Sequence, residues 1–276
     1  MVRLNGGLSV ISAFYNGIGS AVALDLPMTV EVTGSSSPHD EKKHDAAYGI
    51  LRFYRKSLGI DRSFGIRVES EIPQGYGLKS SSALAFGILE ALSHEAGVEM
   101  DPYEKCALAA RASIDAGISR TGSYDDILAS CFGGVSLADN ARFTEIFHSD
   151  VRTVDIVLAY RDGKARYSSR VDIEPGSVED EIVERMMKMV KEGDFISAAA
   201  MNGRIMERFY PADRDICDAF AASGSYAWGQ SGKGPAVFGA FSDGSSMESC
   251  IEALSLIRGV NVIKTVTSNV GSKVIS

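Results

Sequence analysis

The chain has 276 residues, enough for one large domain or two closely packed lobes. It is 45% hydrophobic and 23% charged, an ordinary globular balance, and its formal net charge of −8 disfavours general binding to nucleic acid or to an anionic membrane. No apolar run approaches the ~18 residues of a membrane span and the first residues lack the layout of a signal peptide, so a cytoplasmic protein is expected. Cys106, Cys131, Cys217 and Cys250 are too far apart for a C-x-x-C or zinc pattern, and His39, His44, His94 and His148 also lack ligand spacing. The cysteines read as core thiols in a reducing compartment.

Residues 8–14 and 21–32 are predicted strands, with Asn16-Gly17-Ile18-Gly19 the turn between them. Ser35-Ser36-Ser37-Pro38 is a predicted loop, followed by a helix over 40–58 that stops at Gly59. Over 64–71, apolar Phe64, Ile66 and Val68 alternate with Arg67 and Glu69, the period of a half-buried strand. A helix over 80–96 follows, with Leu84, Ile88, Leu89, Leu92 and Ala96 on one face and Gly97 as its stop. Asp101-Pro102 opens another helix in the N-cap and N1 pattern, ending near Gly117. A short helix over 125–130 leads through Gly133-Gly134 into a strand over 135–137. The second half predicts a strand over 151–160, helices over 178–191, 194–208 and 213–223, strands over 226–230 and 235–241, a helix over 245–257 and a strand over 260–267. Residues 139–143 are the expected boundary between an N-terminal lobe, 1–140, and a C-terminal lobe, 141–276. The mixture lacks strict βαβ alternation, so the expected class is α+β.

Between the strand at 64–71 and the helix at 80–96 lies Pro73-Gln74-Gly75-Tyr76-Gly77-Leu78-Lys79-Ser80-Ser81-Ser82-Ala83. Glycines let the backbone turn tightly and approach a ligand closely. A helix N-terminus offers unpaired N–H groups and about half a positive charge. Three serines exceed the single hydroxyl that an N-cap needs. The stretch is therefore a candidate phosphate cradle. It is not a Walker A loop, because Leu78 puts Lys79 out of register, and Gly229-Gln230-Ser231-Gly232-Lys233-Gly234 lacks the four-residue gap and the final Ser or Thr.

Pro73, Gly77, Leu78, Ser80, Ser81 and Ala83 resemble the P-x-x-x-G-L-x-S-S-A signature of the GHMP kinases, with Lys79 departing from the usual glycine. Ser231, Gly232, Gly234 and Pro235 resemble the S-G-x-G-P motif of the same family; by themselves they read equally as a hairpin turn. Thr121-Gly122-Ser123-Tyr124-Asp125-Asp126 places Asp126 seven residues before Gly133-Gly134, which resembles the aspartate that serves as base in several of these kinases. The same run also reads as a capping box, Ser123-x-x-Asp126, with acidic residues favoured by the helix dipole. The three motifs occur in family order.

The resemblance implies a two-lobe α+β fold with its active site in the cleft between lobes, and ATP with Mg2+ as cofactors. The ATP phosphates would meet Pro73, Gly75, Tyr76, Gly77, Leu78, Lys79, Ser80, Ser81, Ser82 and Ala83. The magnesium would meet Ser81 and Glu90. Asp126 would act as base, with Asp125 as alternate. Ser231, Gly232 and Gly234 would shape the substrate site. The run from Ile11 to Leu26, with the T-G-S-Y-D-D run and the overall length, is similar to archaeal-type shikimate kinases, implying shikimate as acceptor in aromatic amino acid biosynthesis. A carboxylate acceptor calls for a bidentate Arg. Arg204 and Arg208 share a helix face and are the expected contacts, with Arg111 and Arg161 as other candidates; Asn202-Gly203 is expected to break that helix. Homoserine kinase is the rival enzyme and a silent nucleotide-binding regulator the rival class. A small-molecule partner is implied, and the sequence leaves the oligomeric state open.

Overall fold

The computed structural model describes residues 1–34, 45–166 and 173–275. The expected loop Ser35-Ser36-Ser37-Pro38 and the first residues of the expected helix, 40–44, lie outside these ranges. The first strand, β1 (Val2–Ile11), starts six residues earlier than its periodicity suggests, because it is buried on both faces and does not alternate. It pairs antiparallel with β2 (Ile18–Gly34), in a register that sets Val2 opposite Val30 and Leu8 opposite Val22. With 17 residues, β2 pairs β1 along one edge and two strands along the other. Its first part meets β4 (Val135–Asp139) and its last part meets β3 (Phe64–Ser70). Two further strands were not legible: β5 (Thr144–Ser149), an edge strand of mixed polarity, and the two-residue β10 (Lys273–Val274). The resulting six-stranded sheet has the order β10-β1-β2-β4-β5, with β3 on β2.

Helix α1 (Ala46–Leu58) starts where the Asp45 carboxylate accepts from the Ala47 N–H, and ends at Gly59 in the left-handed conformation. Helix α2 (Ser80–Ala96) lies on β1 and β2, flanked by α3 (Pro102–Asp115) and α4 (Tyr124–Phe132). The Tyr54 hydroxyl of α1 donates to the Ala85 carbonyl of α2 at 2.8 Å, which satisfies a phenol buried in this layer.

The second sheet is antiparallel with the order β7-β8-β6-β9: β6 (Asp155–Arg161), β7 (Ala227–Gln230), β8 (Val237–Phe241) and β9 (Val260–Val266). One face carries α7 (Arg214–Ala222) and α8 (Gly244–Ser255) over a cluster that includes Ile216, Phe220, Phe241 and Leu254. Helix α5 (Asp180–Lys191) packs on α6 (Phe195–Met206), and α6 touches both β1 and β7, so it joins the two sheets. The fold is α+β. The change of sheet falls between β5 and β6 rather than at 139–143, and β10 returns to the first sheet. The Asn202-Gly203 pair does not break α6. Gly203 lies inside it, and a Cβ there would stand 2.5 Å from the Gln230 backbone nitrogen, so the glycine lets α6 press on β7.

Candidate active site

The glycine-serine stretch is the hinge between β3 and α2. Gly75 and Gly77 have φ of 79° and 81°, and Lys79, the residue before the helix, has φ of 68°. The Lys79 side chain makes no cap bond to α2. Its first backbone bond runs from the Ala83 N–H to the Lys79 carbonyl at 3.1 Å, so the N–H groups of Ser80, Ser81 and Ser82 have no acceptor within the helix. Among the described residues, no partner engages the hydroxyls of these three serines either. Open N–H groups, three hydroxyls and the positive helix end make a cradle for an anion.

The second glycine loop, between β7 and β8, closes on the first. The Ser231 hydroxyl donates to the Gly77 carbonyl at 2.8 Å and accepts from the Ser9 N–H at 3.2 Å. A Cβ on Gly77 would lie 2.2 Å from the Ser231 carbonyl oxygen, so only glycine permits this approach at that φ. Ser231 therefore stands behind the wall as a tie, while Gly232 and Gly234 face the cleft. The cleft holds ≈ 870 Å³ of empty space, its open mouth included.

The two carboxylates enter from α4. The capping-box alternative does not describe its start: Ser123 sits at φ 52° and its side chain caps nothing. Asn140, in the turn after β4, caps the helix from outside, accepting from the Tyr124 N–H at 2.5 Å and the Asp125 N–H at 3.4 Å. Asp125 and Asp126 are thus released toward the cleft. Asp126 Oδ1 lies 2.8 Å from Lys79 Nζ, with both side chains about seven-eighths buried. Asp125 is a buried residue of the cleft wall, and burial pushes its carboxyl up to about 7; the neighbouring Asp126 charge adds to this and Lys79 opposes it. Gly19 makes room for it, since a Cβ there would fall 2.6 Å from the Asp125 carboxylate.

Of the expected nucleotide-loop residues, Gly75, Gly77, Leu78, Lys79, Ser80, Ser81 and Ser82 line the cleft. Tyr76 packs instead on Tyr160, with ring centroids 4.3 Å apart, Ala83 is buried in α2, and Pro73 is not among the lining residues. Glu90 is not brought to Ser81. Its carboxylate is 2.7 Å from Lys105 Nζ, between α2 and α3, because nine residues of helix carry it to a different face. Arg204 and Arg208 also stay outside. Arg204 lies over the Trp228 ring, its Cζ 5.8 Å from the centroid, and Arg208 lies beside Phe209. Arg161 pairs with Asp213 and Asp215, and Arg111 is exposed on α3. Lining residues that pattern did not single out include Ser9, Ser119 and Arg166. A single polar residue, whether in a loop like Ser119 and Arg166 or in a doubly buried strand like Ser9, carries no periodicity by which it could be found.

The chain matches known proteins. Residues 45–134 match the family model described as the GHMP kinases N terminal domain, a segment spanning both the α2 cradle and the two aspartates. The chain is 35% identical to a shikimate kinase of Thermoplasma acidophilum over 88% of this chain and 87% of that one. It is 30% identical to a shikimate kinase of Thermococcus kodakarensis over 85% and 89%.

This chain belongs to the GHMP kinases.

Among solved structures, the Methanococcus jannaschii mevalonate kinase covers 97% of this chain and 98% of its own, with a TM-score of 0.77 and 15% identity. A putative homoserine kinase from Listeria monocytogenes covers 100% and 98%, with a TM-score of 0.72 and 17% identity. At that identity the likeness is one of fold. As a GHMP kinase the protein is a small-molecule phosphotransferase that works with ATP. No described helix is long and apolar enough to cross a membrane.

Proposed function

We propose that the protein transfers the γ-phosphoryl group of ATP to a hydroxyl of shikimate, giving shikimate 3-phosphate and ADP. The observation that carries the reading is the Lys79–Asp126 pair, an ammonium and a carboxylate 2.8 Å apart at the open end of α2. Phosphoryl transfer asks little covalent chemistry of a protein; it needs positioning and neutralisation of charge. The N–H groups and hydroxyls of Ser80, Ser81 and Ser82 would hold the nucleotide phosphates. Asp126 would take the proton of the acceptor hydroxyl as its oxygen bonds to the γ-phosphorus and the bond from that phosphorus to the leaving ADP oxygen breaks. The Lys79 ammonium fixes the carboxylate and would neutralise the charge that develops on the transferred phosphoryl group. Shikimate as acceptor is supported by the curated relatives, which are shikimate kinases that match most of the chain.

The donor set also fits a magnesium ion of the kind that keeps most of its ligands from nucleotide phosphates and water. The Ser81 hydroxyl, unpartnered at the cleft, and the Asp125–Asp126 carboxylates would hold it, and when bound it supplies charge neutralisation. Among the described residues no cluster of three His, Cys, Asp or Glu side chains offers an all-protein metal cage.

The test is ADP release by the purified protein with ATP and magnesium, comparing shikimate, homoserine, mevalonate and galactose. Turnover with shikimate alone is expected. Turnover with homoserine alone would keep the phosphate site and replace the acceptor. Silence on all four with ATP still bound would favour a regulator.

A further inference from the structure

Among the described residues, three cations line the cleft: Lys79, Arg166 and Lys233. Lys79 is matched by Asp126. Arg166, just beyond β6, is bound in another way. Its backbone N–H donates to the Gly75 carbonyl at 2.6 Å, Nη1 to the Lys233 carbonyl at 2.6 Å and Nη2 to the Pro211 carbonyl at 2.8 Å. Its Cζ lies 5.8 Å from the Tyr210 ring centroid. All of these partners are uncharged, and among the described residues no carboxylate lies within ion-pair distance of the guanidinium. The side chain is half-buried, and that burial pulls its pKa below the usual arginine value. A guanidinium has five N–H donors. Two are spent on carbonyls, which hold the plane in one orientation at the junction of the two glycine loops. The other three have no acceptor among the described residues.

We infer that Arg166 is the specificity-determining residue of the acceptor site, where it pairs with a carboxylate of the substrate, the role that Arg204 and Arg208 do not reach. The inference rests on the small-molecule kinase reading above and narrows the acceptor to a hydroxy acid. An anion in this cleft has two sources, the acceptor's carboxylate and the nucleotide's phosphates. The phosphates already have the α2 N-terminus, three serines and Lys79. The Arg166 backbone is tied to the first loop at Gly75, but its guanidinium is held by the second loop, through Lys233, and by Pro211. Carboxylate recognition by a planar, pre-oriented fork is what Arg does better than Lys.

The test compares wild type with Arg166→Met and Arg166→Lys, using shikimate and its carboxamide, each with ATP varied separately. The acceptor KM of Arg166→Met should rise roughly 10- to 100-fold, the loss of one charged hydrogen-bonded contact, while its ATP KM stays within about twofold. The wild type should lose a similar factor on the carboxamide, and Arg166→Met should use acid and amide alike. A rise in ATP KM instead would assign the guanidinium to phosphate, and a surviving preference for the acid in Arg166→Met would also overturn the inference. If Arg166→Met fails to fold by thermal melting, the wild-type comparison of acid with amide and the intermediate loss expected of Arg166→Lys decide; equal use of acid and amide by the wild type sinks it. Turnover of galactose only would keep the kinase and overturn Arg166 alone, whereas no turnover of any acceptor in the panel overturns both.

Discussion

Asp125 and Asp126 are adjacent in sequence and differ in surroundings, and the difference gives each a separate test. Asp126 faces Lys79 at the cleft. Asp126→Asn keeps the shape and removes the proton acceptor, so kcat should fall on the order of 10²- to 10⁴-fold, with ATP affinity by calorimetry changed only a few-fold. A variant retaining a tenth of wild-type turnover would remove Asp126 from the chemistry. Asp125 is buried in the cleft wall, and its folded pKa of about 7 stands above the ordinary 3.8 because burial, then Asp126, disfavours its charge. The folded state therefore holds this proton more tightly than the unfolded chain does. The resulting stabilisation is complete below pH about 4 and is lost as pH rises through 7. Asp125→Asn has no such proton, so the melting temperature of wild type minus that of the variant should shrink between pH 4 and pH 8. A difference that does not vary with pH would contradict the burial argument.

Helix propensity and helix packing pull in opposite directions in α6. Replacing a glycine in an exposed helix by alanine stabilises by about 1 kcal/mol. Gly203 is buried against β7, where a Cβ would meet Gln230 backbone atoms at 2.5 Å and 2.8 Å. Backbone cannot swing away as a side-chain tip can. Gly203→Ala is expected to destabilise by about 1–3 kcal/mol, read as a lower urea midpoint; an equal or higher midpoint would mean that α6 can slide. The same reasoning explains α4. Its N-terminus is capped by Asn140 from another element, so the aspartates that a local cap would have occupied stay available to the cleft.

The two sheets are tied through buried polar groups as well as through apolar packing. Asn202 on α6 accepts with its one side-chain oxygen from the Ser12 N–H at 3.1 Å and from the Tyr15 hydroxyl at 2.9 Å. Asn202→Leu would leave both donors buried without a partner, a cost of roughly 2–4 kcal/mol that equilibrium denaturation would register. A loss below about 0.5 kcal/mol would show that water or a rotated side chain replaces the amide. Because Ser12 also lines the cleft, the variant should raise KM for the acceptor at temperatures where it is still folded.

By itself the sequence determined the helices and most strands, because periodicity and the glycine and aspartate signals at helix ends are local properties of the chain. The α2 cradle was legible for the same reason: glycines, helix start and serines lie within one short stretch. Element ends drifted where burial is two-sided, as in β1, and the edge strand β5 and the short β10 carried no pattern to read. The tertiary structure alone decided which charges meet. Lys79 faces Asp126 across 47 residues, Glu90 is taken up by Lys105, and Arg204 is turned onto Trp228. Arg166, unremarkable in the sequence, is carried to the junction of two loops that only the fold brings together. Coulomb and hydrogen-bond energies depend on distances of a few ångströms, and those distances are set by how the sheets and helices pack.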